Sequence, residues 1–220
     1  MSRVVVVGAS GHAKVVVDTL EQAGEYEVVG YVDADKPAGT SWYGLPVLGS
    51  DADLAAVCRA HRIEGGIVGV GDNAARGRIA ERIAGDLPGF RFVDAVHPSA
   101  RLARGVELGA GVLVVAGAIV GPDCAVGDHA VIYTGASLDH DSALGRCASL
   151  APRAVTGGGV HIGDVTAVSI GAIVLHGRTI GAHTVVGAAS LVVDDLPDHV
   201  VAYGAPARVI RPRAEGEPYL

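Results

Sequence analysis

LVVAGAIVGPDCAVGDHAVI, residues 113–132, repeats itself every six positions. Val114, Val120, Val126 and Ile132 are aliphatic, and the small residues Ala118, Cys124 and Ala130 each follow four positions behind one of them. Extended both ways, the aliphatic series runs from Leu102 to Val192. Fifteen of its sixteen members are Leu, Ile or Val, and Thr156 is the exception. A helix repeats every 3.6 residues and a strand every 2, so neither produces a period of six. A parallel β-helix built from hexapeptides does. Each hexapeptide then forms one side of a triangular coil, with its aliphatic side chain pointing into the prism and stacking on the next coil about 4.8 Å away. Composition agrees, since 50% of residues are hydrophobic but only 4% aromatic. A narrow prism holds Val, Ile and Ala rather than rings.

Before about residue 95 the period disappears and strand–helix alternation replaces it. Residues 4–7 read as a buried strand, 8–14 as a glycine turn and 15–22 as a helix. A second strand over 26–32 ends at Asp33. Residues 54–61 form a helix, 65–70 a third strand, and 74–84 another helix after Gly71-Asp72-Asn73. Such βα units predict a small parallel sheet with ligands at the carboxyl ends of its strands. The expected division is a Rossmann-like α/β domain over 1–95, the β-helix over 96–198 and a tail over 199–220, with 211–220 lacking fixed structure. Three clusters would converge: Gly8 to His12, Asp33, and Gly71 to Asn73. The turn can hold a phosphate on backbone N–H groups at a helix start. Asp33 can accept from a sugar hydroxyl, and Asn73 either joins them or caps its helix. The full G-x-G-x-x-G pattern is absent, which argues against a nicotinamide cofactor.

A net charge of −7 and the lack of any basic run argue against nucleic acid as partner. Two Lys against fifteen Arg has no reading from the sequence alone. The three cysteines, Cys58, Cys124 and Cys147, lack metal-ligand spacing and are odd in number, as expected in a reducing compartment. No apolar run approaches the roughly 20 residues that span a bilayer, and the amino terminus lacks the pattern of a signal peptide. These features predict a soluble, cytoplasmic protein.

Nine histidines are present, most of them at outward positions of the repeat. His140 differs, because Asp139 and Asp141 flank it. A carboxylate beside an imidazole orients it and favours its protonated form, which suits a general base. His176 lies two coils from His140, roughly 10 Å by strand spacing. That is too far for one metal ion with bonds near 2 Å, so no metal is expected.

Along nearly its whole length the chain resembles the bacterial sugar acyltransferases of the sialic-acid O-acetyltransferase (NeuD) type. Within them it is most similar to the PglD-like N-acetyltransferases of nucleotide-linked 4-amino-4,6-dideoxy sugars. The residues that carry the resemblance are GASGHAK (8–14), Asp33, GDN (71–73), VHPSA (96–100), the hexapeptide run and GAPAR (204–208). It implies a left-handed coil, a homotrimer with active sites between adjacent prisms, and acetyl-CoA as co-substrate in surface-glycan synthesis. By motif, Ser10, Gly11, His12, Asp33 and Asn73 would contact the nucleotide-linked amino sugar. His140 would be the base, Asp141 the acid that raises its basicity, and Gly158 N–H the oxyanion donor. Ile170, Gly187 and Ala188 would line the acetyl-CoA groove. Ser149 would join them, although close relatives carry there a second histidine that helps bind acetyl-CoA. His176 stands where many relatives have Pro. O-acetylation of a sialic-acid-like sugar, or a non-catalytic trimeric scaffold that binds nucleotide sugars, are the alternatives.

Overall fold

The structure is a computed structural model and describes residues 1–218. Its first unit is a six-stranded sheet, built on β1 (Ser2–Val7). The four valines Val4 to Val7 are all buried, as expected for a parallel strand covered on both faces. Outward from β1 lie β2 (Tyr26–Val32) and then β4 (Leu45–Gly49), with β3 (Ser41–Trp42) at that edge. On the other side lie β5 (Gly65–Val68) and β6 (Arg91–Phe92). All neighbours pair in parallel except β3 with β4. The helices are α1 (Gly11–Ala23), α2 (Leu54–His61) and α3 (Asn73–Asp86). Strands β3, β4 and β6 are not visible in the sequence pattern. Helix α1 also starts four residues earlier than the periodicity suggests, because Ser10 caps it by accepting from Ala13 N at 3.3 Å.

The second unit is the prism. Seventeen two-residue strands, β7 (Ala95–Val96) to β23 (Leu191–Val192), stack in parallel into three faces. The first face contains β7 and every third strand after it, the second starts at β8 (Arg101–Leu102) and the third at β9 (Glu107–Leu108). Register runs eighteen residues per coil, for example Val114 opposite Ile132 and Ile132 opposite Leu150. The aliphatic series fills the interior, where Val120, Ile132, Leu138, Leu150 and Val168 are fully buried. Residues 199–220 were expected to form a tail. Instead β24 (Val200–Gly204) pairs with the first face, and β25 (Ala207–Pro212) folds back antiparallel onto it. Arg213 is buried and donates to His183 O at 2.9 Å. Polarity misled here, because the backbone of this segment had a sheet edge to pair with. Of the segment expected to lack fixed structure, Tyr219 and Leu220 lie outside the described residues.

Two seams join the units. One is apolar: Ala13, Val16, Val17 and Leu20 of α1 share a buried cluster with the outward-facing Leu113, Val115 and Val131 of the first face. The other is polar and centres on Arg76, only 2% exposed. Its Nε donates to His129 O (2.8 Å), Nη1 to Val70 O and Gly71 O (both 3.0 Å), and Nη2 to Asn73 Oδ1 (2.7 Å) and Cys147 O (2.9 Å). All five guanidinium protons are thereby placed.

Candidate active site

His140 sits in the turn between the second and third faces. Its main chain is held from several directions. Gly159 N donates to His140 O at 2.8 Å, and Ser142 Oγ donates to the same carbonyl at 3.2 Å. His140 N donates to Asp139 Oδ1 at 2.8 Å, and Asp139 N donates to Thr156 Oγ1 at 3.0 Å. Thr156, the one break in the aliphatic series, therefore has a reason: its hydroxyl anchors the turn that carries the imidazole.

Asp141 has φ 57°, the left-handed conformation that Gly159 and Gly177 adopt one and two coils further on. Asp tolerates this region better than most residues. The turn brings Asp141 Oδ2 to 2.7 Å from His140 Nδ1. A carboxylate only accepts, so Nδ1 carries the proton and Nε2 keeps its lone pair when the ring is neutral. The Asp141 hydrogen bond, then the Asp139 charge, hold the His140 pKa above its ordinary 6.5. Gly158 lies against the other side of the ring. A Cβ there would come closer to His140 Cε1 and Nε2 than the 3.0 Å that real Cβ atoms keep. Among the described residues, no acceptor takes the Gly158 N–H.

The expected groove residues stand elsewhere. His140, Gly158 and His176 follow one another at single-coil intervals along one edge. Ile170 and Ala188 do the same along the edge between the first and second faces. There, Tyr133, Ser149, Pro152, Ile170 and Ala188 contribute to a mostly apolar cavity of about 250 Å³. Gly187 is not among its lining residues and stands beneath Tyr203 of β24. Ser149 lines the cavity, yet it is only 3% exposed and its Oγ accepts from Asn73 Nδ2 at 3.0 Å. A larger hollow of about 770 Å³ along the third face, lined by Arg146, His161 and Asp164 among others, holds none of the expected site residues. Among the described residues, no group of three or more His, Cys, Asp or Glu could hold a metal ion.

Of the three clusters at the strand ends, two converge. Gly8 turns at φ 97° and donates to Val32 O at 2.8 Å. Asp33 accepts from Ala9 N (2.6 Å), Lys36 N (2.9 Å) and Asp35 N (3.0 Å). Burial pushes its pKa up, but these N–H groups outweigh burial and hold it below the ordinary value. Ser10 Oγ donates to Gly69 O at 3.0 Å, tying the turn to the end of β5. His12 lies 3.1 Å from Tyr133 Oη through Nδ1. Burial, helped by the Arg76 charge, brings its pKa down to about 4, so the ring is neutral.

Asn73 is the exception. It is fully buried, with Nδ2 donating to Ser149 Oγ and Thr166 O (3.1 Å) and Oδ1 taken by Arg76. It belongs to the polar seam rather than to the open turn, and Asp72, not Asn73, caps α3. Tyr133 went unnoticed in the sequence. It lines the apolar cavity and touches His12, so the glycine turn and the cavity share a wall.

A prism of hexapeptide coils with an Asp-held imidazole on one edge and an apolar cavity on the next is the architecture of a left-handed β-helix acyltransferase. The PglD N-terminal domain family matches residues 3–83. Perosamine N-acetyltransferase from Caulobacter crescentus, solved with CoA and GDP-perosamine, is 41% identical. The match covers 96% of this chain and 98% of that one, at TM-score 0.89. The acetyltransferase domain of PglB from Neisseria gonorrhoeae, solved with acetyl coenzyme A, is 30% identical over 94% of this chain and 98% of that domain, at TM-score 0.87. Serine acetyltransferase 2 of Arabidopsis thaliana is 34% identical over 127 residues, 57% of this chain and 34% of that protein. The chain spans about a third of that relative, and 53% of a serine acetyltransferase from Bacillus pumilus. The chain belongs to the PglD family of nucleotide-amino-sugar acetyltransferases.

Proposed function

We propose that this protein transfers the acetyl group of acetyl-CoA to the C4 amine of a nucleotide-linked 4-amino-4,6-dideoxy sugar, in a homotrimer whose sites form between neighbouring prisms. The observation that carries this reading is the His140–Asp141 pair, with the imidazole packed against Gly158, whose N–H has no acceptor among the described residues. His140 Nε2 takes a proton from the amine as it attacks the thioester carbonyl, and Asp141 stabilises the imidazolium that results. Gly158 N–H donates to the carbonyl oxygen as negative charge gathers there, a contact typically worth roughly 3 kcal/mol. His140 then returns the proton as the thiol leaves, so no covalent enzyme intermediate is needed.

The separation of the half-sites supports the trimer. The His140 edge and the Ile170 edge of one prism bound its second face and cannot meet. That face carries the exposed Ile119 and Ile173, with the exposed Ile170 and Leu175 at its borders. Exposed apolar side chains grouped in this way favour association. A second prism packed there brings its own cavity edge to His140. A cytoplasmic location fits three free thiols and the absence, among the described residues, of any helix long and apolar enough to cross a membrane.

The test is incubation with acetyl-CoA and a panel of UDP-, dTDP- and GDP-linked amino sugars, following thiol release. The reading requires release that depends on an amine acceptor. Release only with a hydroxyl acceptor would favour O-acetylation, and binding without release would favour the scaffold.

A further inference from the structure

The chain has only two lysines and one tryptophan, and all three meet beside the glycine turn. Lys14 Nζ and Lys36 Nζ each lie 4.7 Å from the centroid of the Trp42 ring. Trp42 is fixed by its own Nε1, which donates to Ser10 O at 3.2 Å. Lys36 is fixed through its backbone N–H on Asp33 Oδ1. Among the described residues, neither ammonium forms an ion pair with a carboxylate. In a chain of net charge −7 that absence is informative, since acidic partners are plentiful. An indole face holds an ammonium weakly compared with a charged oxygen.

The surroundings suit a dianion. Lys14 lies in the first turn of the thirteen-residue α1, whose dipole favours negative charge at this end. Open space surrounds Gly11, where a Cβ would meet nothing within 4 Å. His12 Nε2 is buried and has no hydrogen-bond partner among the described residues. We propose that Lys14 and Lys36 hold the diphosphate of the nucleotide-linked substrate, and that Trp42 keeps both ammonium groups at the turn beforehand. This inference rests on the nucleotide-sugar reading of the turn and names the part of the substrate that the turn grips.

The test titrates GDP, UDP and dTDP, their monophosphates and inorganic pyrophosphate into the full-length protein, its Lys14→Met variant and its Lys36→Met variant. Calorimetry gives affinity, and emission of the single indole reports events at Trp42. The parent should prefer diphosphates over monophosphates, with a change in indole emission on binding. Each substitution should weaken diphosphate binding about 10- to 100-fold, the weight of a hydrogen bond to a charged group, and narrow the preference. Both lysines are at least partly exposed, so the fold should tolerate the changes. Variants that bind diphosphates like the parent, or a parent that binds none or does not prefer them, would overturn the proposal. Acetyl transfer that persists alongside such a result would leave the catalytic reading intact. Lysine-dependent diphosphate binding without acetyl transfer would keep the clamp and remove the reaction.

Discussion

Replacing Gly158 with Ala should separate catalysis from folding. Gly158 does not adopt a left-handed φ, so an alanine backbone fits there. Gly→Ala at a compatible site typically adds about 0.4–1 kcal/mol of stability by restricting the unfolded chain. The new methyl would nonetheless crowd His140 Cε1 and Nε2 far inside the 3.4 Å at which ordinary contact begins. The ring must swing away, or the Asp141 hydrogen bond at 2.7 Å must stretch. A shift of about 1 Å in a reacting group can cost roughly 100-fold in rate, or about 2.7 kcal/mol of barrier. The substitution leaves the Gly158 N–H in place, so lost activity reports on imidazole placement rather than on the oxyanion donor. The assay is acceptor-dependent thiol release under saturating acetyl-CoA, paired with thermal unfolding. A variant that unfolds at or above the parental temperature with kcat down about 100-fold meets the expectation. A kcat within about twofold of the parent would refute the placement of His140 against Gly158 as a requirement.

Asp141→Asn should move the acid limb of kcat/KM to lower pH. The raised His140 pKa means that activity is lost as pH falls through a value above 6.5, and weakening the Asp141 hydrogen bond that chiefly raises it lowers that value. An unchanged limb in a pH–rate profile would show that Asp141 does not tune the ring. Arg76→Ala removes the buried guanidinium that donates to the carbonyls of Val70, Gly71, His129 and Cys147. It should cost about 3–5 kcal/mol, measurable by denaturant unfolding. Acid should also loosen the fold. Burial is the main cause that brings His12 and His129 down to about 4, so both stay neutral when folded but take up protons at 6.5 when unfolded. Stability should be intact above about pH 6.5 and fall progressively toward pH 4. Replacing His129 with a non-titrating residue should flatten that slope, and an unchanged slope would contradict it.

The prism was legible because its order is local. Six residues make a side, eighteen make a coil, and each aliphatic side chain meets its own counterpart in the next coil. The exception carried no meaning in the sequence: only the structure shows that Thr156, one coil beyond the His140 turn, supplies the hydroxyl that anchors it. Asp141 could be read for the same reason, as an immediate neighbour of His140. The polar seam was not legible. Asn73 reaches Ser149 across 76 positions and Arg76 reaches Cys147 across 71. Nothing near either residue announces that a helix start will be pressed onto a prism face. The link from Tyr133 to His12 spans 121 positions and was hidden for the same reason. Residues 199–212 were misread because composition speaks to burial, whereas this segment is held mainly by backbone pairing at a sheet edge.

Subunit mixing tests the central claim, that the imidazole of one prism serves the cavity edge of the next. His140→Ala removes the base, and Ala188→Trp blocks the cavity from an exposed position, so each variant alone should be nearly inactive. Unfolded together in equal amounts and refolded, they should regain about a quarter of parental activity, because one in four head-to-tail contacts then joins an intact base to an open cavity. A mixture no more active than its components would contradict a shared site.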